Sequence, residues 1–269
     1  MKKIDAPNLL GHTFLGAALI FMLFPIAIII AISFSDSEFL SFPPTSFSFR
    51  WYSFVFTHPS WTNATLLSLW IAVLSTLLAV VIGTLAAITI VRRPSLSTKF
   101  VSITSFGPQL VPHIILALGI LLLIGRLGLY GQWWVLVLAH ATMALPLVII
   151  IVMAAIRQNG EGLERAARIL GAGPTQAFWL VTLPAIRPAI ISSAVFSFFI
   201  SFDDLIVALF IMGGKETLPM MIWANLKYEL TPALTAIASF LIVFTFVCIL
   251  PAEYYRRKKL TGAAPASGA

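Results

Sequence analysis

The sequence is poor in charged residues and has almost no cysteine. Only 10% of its 269 residues are Asp, Glu, Lys or Arg, whereas soluble domains carry about 25%. The single cysteine, Cys248, excludes an intrachain disulfide, so cysteine usage does not indicate the redox compartment. Hydrophobic residues make up 59% of the chain. This composition predicts a polytopic membrane protein and excludes an ordinary soluble domain.

Motifs for nucleotide binding, metal binding and hydrolysis are also missing. The chain has no GxxxxGK(S/T) loop, and Gly171-Ala172-Gly173 lacks the third glycine of a dinucleotide-binding loop. HExxH and GxSxG do not occur. His113 and His140 have no cysteine or carboxylate at helical spacing, so they do not indicate a metal site. We therefore expect no catalytic residue, no metal and no cofactor bound by this chain.

Six continuous apolar runs are each long enough to cross a membrane as a helix, which takes about 20 residues. Pro108, Pro112 and Pro146 lie within these runs and would break or kink their helices. We therefore predict an all-α membrane protein with six spans, over residues 14–34, 66–90, 100–124, 133–153, 189–212 and 233–250. The predicted organisation is a cytoplasmic N-terminus (1–12), one transmembrane domain (13–258) and a disordered tail (259–269).

Lysine and arginine are distributed unequally between the loops. If the N-terminus is cytoplasmic, only Arg50, Arg126, Lys215 and Lys227 of the 17 basic residues fall on the outer side. Because loops rich in Lys and Arg stay in the cytoplasm, both termini and the loop 157–187 are predicted to be cytoplasmic. These loops account for the net charge of +7, which therefore does not indicate binding to nucleic acid.

One charged segment, residues 161–184, has the pattern of a short amphipathic helix. Its apolar residues recur at i, i+3, i+4 and i+7, and its acids precede its arginines by four residues, the favourable order for ion pairs. Gly171 stands where the C-terminus of a helix favours a residue with positive φ. The apolar face is Leu163, Ala166, Ala167 and Leu170, and the predicted pairs are Glu161 with Arg165 and Glu164 with Arg168. Such a helix between two spans needs a partner protein or lipid headgroups to cover its apolar face.

The same segment resembles the EAA loop of bacterial ABC-importer permeases, whose pattern is E-A-A-x3-G-x9-I-x-L-P. Arg165 stands at the motif's glutamate, with Glu164 one residue earlier, and Val181 replaces the isoleucine. The resemblance implies a coupling helix that seats in a cleft of a cytoplasmic ATPase, with Glu164 as a substitute for the motif glutamate. The residues expected to couple to the ATPase are Glu161, Glu164, Arg165, Ala166, Ala167, Arg168, Gly171, Leu183 and Pro184.

Other segments are similar to permeases of the spermidine/putrescine importer group, in particular to its second permease subunit. They are residues 37–52, 201–210, 217–223 and 230–239. The resemblance implies a subunit of the bacterial inner membrane with the fold of type I ABC importers, which forms half of the translocation pathway. It also implies a homologous second permease, two ATPase subunits that bind ATP and Mg, and an extracytoplasmic solute-binding protein. Related permeases for other amines, opines, amino acids and phosphonates share these segments, so the resemblance identifies the family and leaves the solute open.

A polar stripe runs along the predicted fifth span. Ser193, Ser197, Ser201 and Asp204 fall at i, i+4, i+8 and i+11, and Asp203 points off this face. A carboxylate within the membrane is costly and normally faces a cavity or a partner. Adjacent carboxylates beside an aqueous path would attract a cation such as a polyamine, so Ser197, Ser201, Asp203 and Asp204 are candidate pathway residues. In the alternative interpretation, an aspartate only hydrogen-bonds a neighbouring helix and fixes the packing.

Two other classes of function are compatible with so apolar a chain. A secondary carrier or channel for a small cationic solute would work alone, but such proteins more often contain internal repeats with paired broken helices, and no clear repeat is present. An intramembrane serine hydrolase would need a serine next to His140, and the spacing assigns none. The aromatic residues between positions 39 and 61 fit an interfacial belt or a docking surface for a binding protein.

Overall fold

The protein is mostly helical in the part that the computed structural model describes, which is the backbone of residues 6–261 and the side chains of residues 11–158 and 162–247. Within these residues β structure is limited to isolated bridges, such as Ser35 with Phe47. The predicted all-α class is therefore confirmed. Lys2, Lys3 and residues 262–269 lie outside the described part, so the disorder of the tail stays a prediction.

Apart from residues 34–49, the connections between helices are short, and of two π-helical turns one precedes the charged segment and the other lies within it. The turns are Ile156–Gly160 and Phe178–Thr182, and such turns are frequent at functional sites. The helices are α1 (Ala6–Ser33), α2 (Arg50–Thr57), α3 (Pro59–Arg92), α4 (Leu96–Ser105), α5 (Gly107–Leu110), α6 (His113–Leu127), α7 (Trp133–Ala155), α8 (Glu161–Ile169), α9 (Pro174–Ala177), α10 (Leu183–Phe202), α11 (Ile206–Ile211), α12 (Leu218–Tyr228) and α13 (Ala233–Thr261).

Contacts group the chain into two compact units. One comprises Met1–Thr62 and Ile222–Phe246, and the other Asn63–Met221 and Val247–Ala269. In the first unit, Ser33 Oγ at the end of α1 lies 2.8 Å from the hydroxyl of Tyr52 in α2. The rings of Phe34 and Tyr52 lie 5.3 Å apart, and Trp51 Nε1 donates to the carbonyl of Ser37 at 3.0 Å. These contacts fasten the end of α1 to α2.

Helix α7 forms the centre of the second unit. Its buried residues occur on several sides of the helix, as expected for a sequence that is apolar all round. They pack against α10 and, in one cluster, against Ala79 and Ala87 of α3. Gly83 of α3 lies between these alanines, and a Cβ placed on it would be only 2.7 Å from Cγ1 of Val148. The glycine therefore permits a close approach of α3 and α7, as small residues do in membrane proteins.

The number of membrane spans is only partly as predicted. Four helices of the described part are long and apolar enough to cross a membrane: Gly11–Ser33, Pro59–Arg92, Trp133–Gln158 and Pro174–Phe202. The bent pair Leu96–Leu110 and His113–Leu127 would make a fifth span. The segment Ala233–Val247 is apolar but shorter. The structure thus supports a multi-pass protein and does not confirm six spans.

The predicted third span, 100–124, is not one continuous helix. Its two parts enclose a bend of 102° at Val111 and Pro112. Val111 is extended, with φ −90° and ψ 131°, because a residue before proline avoids the helical region. Pro112 directly precedes α6, and as a proline it has no backbone N–H group that would need a hydrogen-bond acceptor at the bend. In contrast, α7 continues through Pro146, so proline interrupts only one of the two helices.

The predicted fifth span, 189–212, is also wrong as a single helix. Helix α10 ends at Phe202, and α11 begins at Ile206. Asp204 lies in the break, and its Oδ2 accepts hydrogen bonds from the backbone N–H groups of Val207 at 2.9 Å and Ala208 at 3.2 Å. An aspartate in this position satisfies the free donors at the start of a helix, so it stabilises a new helix instead of continuing the old one.

We predict that Gly83→Ala destabilises the protein, because the added methyl group would collide with Val148. Overpacking of this kind costs about 1–3 kcal/mol. Gly119→Ala in α6 is the matched control, since nothing lies within 4 Å of the position of its Cβ and alanine favours a helix. Thermal unfolding in detergent should give a lower midpoint for Gly83→Ala only. Equal midpoints would contradict the close approach of α3 and α7.

Candidate functional site

Helix α8, the core of the charged segment, ends at a glycine as the sequence predicts. Gly171 has a φ of +95°. Its N–H group bonds to the carbonyl of Arg168 at 3.1 Å, and the N–H group of Ala172 bonds to that of Ala167 at 3.0 Å. This pair of bonds is the Schellman motif, which satisfies the last carbonyls of a helix. The predicted helix end is therefore confirmed, and it turns the chain sharply after Leu170.

The apolar face of α8 is uncovered. Leu163 is 54% exposed and Leu170 is 87% exposed. Ala166 between them is exposed, Ala167 is half-buried, and the neighbouring Ile169 is 81% exposed. A short helix with so much exposed apolar surface is typical of an interaction site. The face predicted to need a partner thus has no cover among the described residues.

Glu164 is turned toward the rest of its unit. Its Oε2 accepts a hydrogen bond from Arg92 Nη2 at 2.5 Å and another from Thr182 Oγ1 at 2.6 Å. The guanidinium group of Arg92 also lies over the ring of Phe178, 5.2 Å from its centroid. The predicted local pair with Arg168 is replaced by this long-range pair. The buried hydroxyl of Thr182 is a second donor to the same oxygen. This additional hydrogen bond to a charged group stabilises the inward orientation of the carboxylate.

A cleft of about 550 Å³ opens beside Glu164. Arg92, Arg165 and Arg168 all line it, and the side chains of Arg165 and Arg168 are exposed. The exposed surface of α8 therefore combines positive charge with apolar side chains. Such a surface fits a protein partner with apolar and acidic groups.

The remaining candidates of this segment lie at its two ends. The side chain of Glu161, the first residue of α8, lies outside the described side chains. Leu183 is half-buried and is the first residue of α10, and Pro184 is exposed in its first turn. Proline suits this position, because the first N–H groups of a helix have no partner within it.

The polar stripe of α10 faces the protein interior. Ser193 and Ser197 are fully buried, and Ser201 and Asp204 are nearly so. Ser193 Oγ donates to the carbonyl of Ile190 at 2.9 Å, while the buried Oγ of Ser197 has no hydrogen-bond partner among the described residues. Asp203, which the sequence placed off this face, is exposed. The two adjacent carboxylates therefore differ in exposure, Asp203 being accessible and Asp204 buried.

A histidine of α7 joins the polar residues at the α10–α11 break. His140 Nδ1 lies 2.7 Å from Ser201 Oγ, and its Nε2 lies 3.3 Å from Asp204 Oδ2. The sequence did not predict this cluster, because His140 is 61 residues from Ser201 and 64 from Asp204. The only local signal was Asp204 itself, which stands three residues before Val207 as a helix-capping aspartate does.

The cluster of serine, histidine and aspartate has the composition of a hydrolytic triad but not its accessibility. Ser201 is only 4% exposed and His140 1%, so a substrate could not reach the hydroxyl. The oxygen of Asp204 that faces His140 also holds the start of α11. The arrangement therefore fits a packing role at the helix break. No group of three His, Cys, Asp or Glu side chains in the described part could hold a metal ion.

Comparisons with known proteins identify the family. A model of the binding-protein-dependent transport system inner membrane components matches residues 79–258. This chain belongs to that family. The spermidine/putrescine transport system permease protein PotC of Escherichia coli (strain K12) is 31% identical over 256 residues, which cover 95% of this chain and 97% of PotC. The putrescine transport system permease protein PotI of the same strain is 33% identical over 246 residues, 87% of this chain and 83% of PotI.

A solved structure has the same fold. It is the crystal structure of a bacterial alginate ABC transporter in complex with an alginate pentasaccharide-bound periplasmic protein. One of its chains covers 95% of this permease and 96% of its own length, with a TM-score of 0.64 and 16% identity. The predicted fold of ABC-importer permeases is thus confirmed, and so is the inner-membrane permease family. The permease interpretation is supported over a carrier or channel that works alone.

We predict that Asp204→Ala lowers the free energy of unfolding by about 2–4 kcal/mol, because it removes the cap of α11 and leaves a buried histidine nitrogen unpaired. Asp204→Asn should cost less, since an amide oxygen still accepts hydrogen bonds from the backbone. Asp203→Ala is the matched control, because its side chain is exposed. The measurement is thermal unfolding in detergent. If Asp204→Ala and Asp203→Ala unfold at the same temperature, the His140 cluster is not a packing element.

Proposed function

We propose that this permease imports a polyamine or a related amine as one subunit of an ATP-driven transporter. The observation that carries the proposal is the 31% identity to the spermidine/putrescine permease PotC over 95% of the chain. The 33% identity to the putrescine permease PotI supports the same class of solute. The alginate transporter shares the fold at 16% identity, so the fold by itself does not select the solute.

The complete transporter in this proposal contains a homologous second permease, two ATPase subunits and a soluble binding protein outside the cell membrane. ATP and Mg bind to the ATPase subunits, since this chain has no phosphate-binding loop of its own. A periplasmic protein accompanies the alginate transporter, which supports the last partner. The excess of lysine and arginine in the loops that include α8 supports a cytoplasmic position for this helix.

Helix α8 is proposed as the element that docks on an ATPase subunit. A cleft in the ATPase would cover Leu163, Ile169 and Leu170, and full burial of such side chains contributes roughly 1.5–3 kcal/mol each. Ala166 allows the partner to approach closely, because its side chain is small and exposed. Arg165 is exposed and stands at the position of the motif glutamate. Because its charge is opposite to that of glutamate, it would pair with an acidic group of the ATPase.

The α10–α11 break is proposed as part of the solute pathway. Asp203 is the exposed carboxylate of the pair, so it is the one that would attract a cationic amine. Asp204 holds the break in place through His140 and α11. The buried hydroxyls of Ser197 and Ser201 become available to a solute only if the neighbouring helices separate during transport.

We expect spermidine uptake only from the complete transporter. The permease, its partner permease, the ATPase subunits and the binding protein are reconstituted into proteoliposomes, and uptake of labelled spermidine is measured with and without ATP. Uptake should require ATP and all the subunits, and unlabelled putrescine should compete. An excess of trehalose is the control solute and should not compete. Spermidine uptake by the permease alone, without ATP, would support the carrier and contradict the proposal.

We predict that Gly171→Asp uncouples ATP hydrolysis from uptake. A residue with a side chain pays about 1–2 kcal/mol for a left-handed conformation, so the Schellman turn that ends α8 should loosen. Gly173→Asp is the matched control, because Gly173 has a φ of −67° just before α9, where aspartate is favoured. The amount of solute imported per ATP should fall several-fold for Gly171→Asp alone, with both variants reaching the membrane. Normal coupling in Gly171→Asp would remove α8 from the mechanism.

A further inference from the structure

The carboxylate of Glu164 connects α8 to the ends of two membrane helices in its own unit. Arg92, its ion-pair partner, is the last residue of α3 and lies 72 positions away in the sequence. Thr182, its second donor, is the last residue of the π-helical turn that leads into α10. A single oxygen atom therefore joins α3, α8 and the start of α10.

This connection is shielded from water at Glu164 and Thr182 and is accessible at Arg92. The Glu164 side chain is only 15% exposed and that of Arg92 35%, while Thr182 is buried. The ring of Phe178 covers one side of the Arg92 guanidinium. Exposed ion pairs contribute little because water and salt screen them, whereas a shielded pair with a second hydrogen bond to the charged oxygen holds a defined geometry.

The backbone connections of α8 pass through an irregular turn on each side. On one side, a single π-helical turn, Ile156–Gly160, joins α8 to α7. On the other side, the chain passes through the turn at Gly171 and Gly173 before α9 begins. A force applied to the exposed face of α8 would bend these connections if no side chain tied the helix to the bundle.

We infer that the Arg92–Glu164 ion pair is an internal link that makes α8 move together with α3 and α10. The inference rests on the proposed function, in which α8 receives force from an ATPase. Arg92 and Glu164 are then positioning residues for the coupling of hydrolysis to transport. Glu164 is used within the chain, and it does not replace the motif glutamate at the ATPase.

The test measures the solute imported per ATP hydrolysed in the complete reconstituted transporter. Arg92→Gln, Glu164→Gln and the double variant should each lower this ratio by the same factor, about five-fold or more, while ATP hydrolysis continues. Arg92→Lys keeps the positive charge and should retain most of the ratio. Arg93→Gln is the matched control, because it removes the same charge from the next, exposed residue and should leave the ratio unchanged.

Two results would overturn the link. One is normal coupling in Arg92→Gln together with loss of coupling in Glu164→Gln, which would place Glu164 at the ATPase. The other is a double variant whose defect is the product of the two single defects, since partners in one pair cannot act independently. If a single variant fails to assemble, the exchanged pair Arg92→Glu with Glu164→Arg decides: restored assembly and coupling support the link, and no restoration overturns it. Failure of the proposed function is a separate outcome, in which Gly171→Asp is itself fully coupled.

Discussion

The interior of a membrane offers no water to the backbone, so every interruption of a helix has to satisfy its own N–H and C=O groups. This constraint accounts for the polar residues that stand out in an apolar sequence. Asp204 holds the first N–H groups of α11 after the break that follows α10. Pro112, at the bend before α6, has no N–H group to satisfy. At the end of α8, which the proposed function places outside the membrane, the turn at Gly171 bonds the last carbonyls of the helix. Each departure from a straight helix thus depends on one residue whose chemistry suits it.

Helix α10 lies between the Arg92–Glu164 pair and the polar cluster around His140. The turn before it donates a hydrogen bond to Glu164 through Thr182 and contacts Arg92 through the ring of Phe178. The other end of α10 carries Ser201 beside His140. Its 20 residues span about 30 Å, the thickness of the hydrocarbon layer. Helix α10 therefore forms a direct connection between the Glu164 pair and the polar residues around His140.

The sequence predicts what local patterns determine and misses what distant residues determine. The period of the apolar residues predicts α8, and the position of Gly171 predicts where this helix ends. The ion pair of Glu164 was assigned to Arg168 because only helical spacing was visible, whereas the structure selects Arg92, where buried Thr182 adds a second donor. The break at Asp204 was missed because the apolar residues continue on both sides of it, and hydropathy does not register a helix cap. The His140 cluster depends on the packing of α7 against α10, which no local pattern contains.

A coupling role for α8 requires this helix to lie on the cytoplasmic side of the membrane. Leu170, which is 87% exposed, can be replaced by cysteine in a chain whose native Cys248 is changed to serine. A membrane-impermeant maleimide is then applied to right-side-out and inverted vesicles that contain the transporter. Labelling is expected in inverted vesicles only, and bound ATPase subunits should protect the cysteine from it. Labelling in right-side-out vesicles would place α8 beyond the reach of any ATPase and contradict the account.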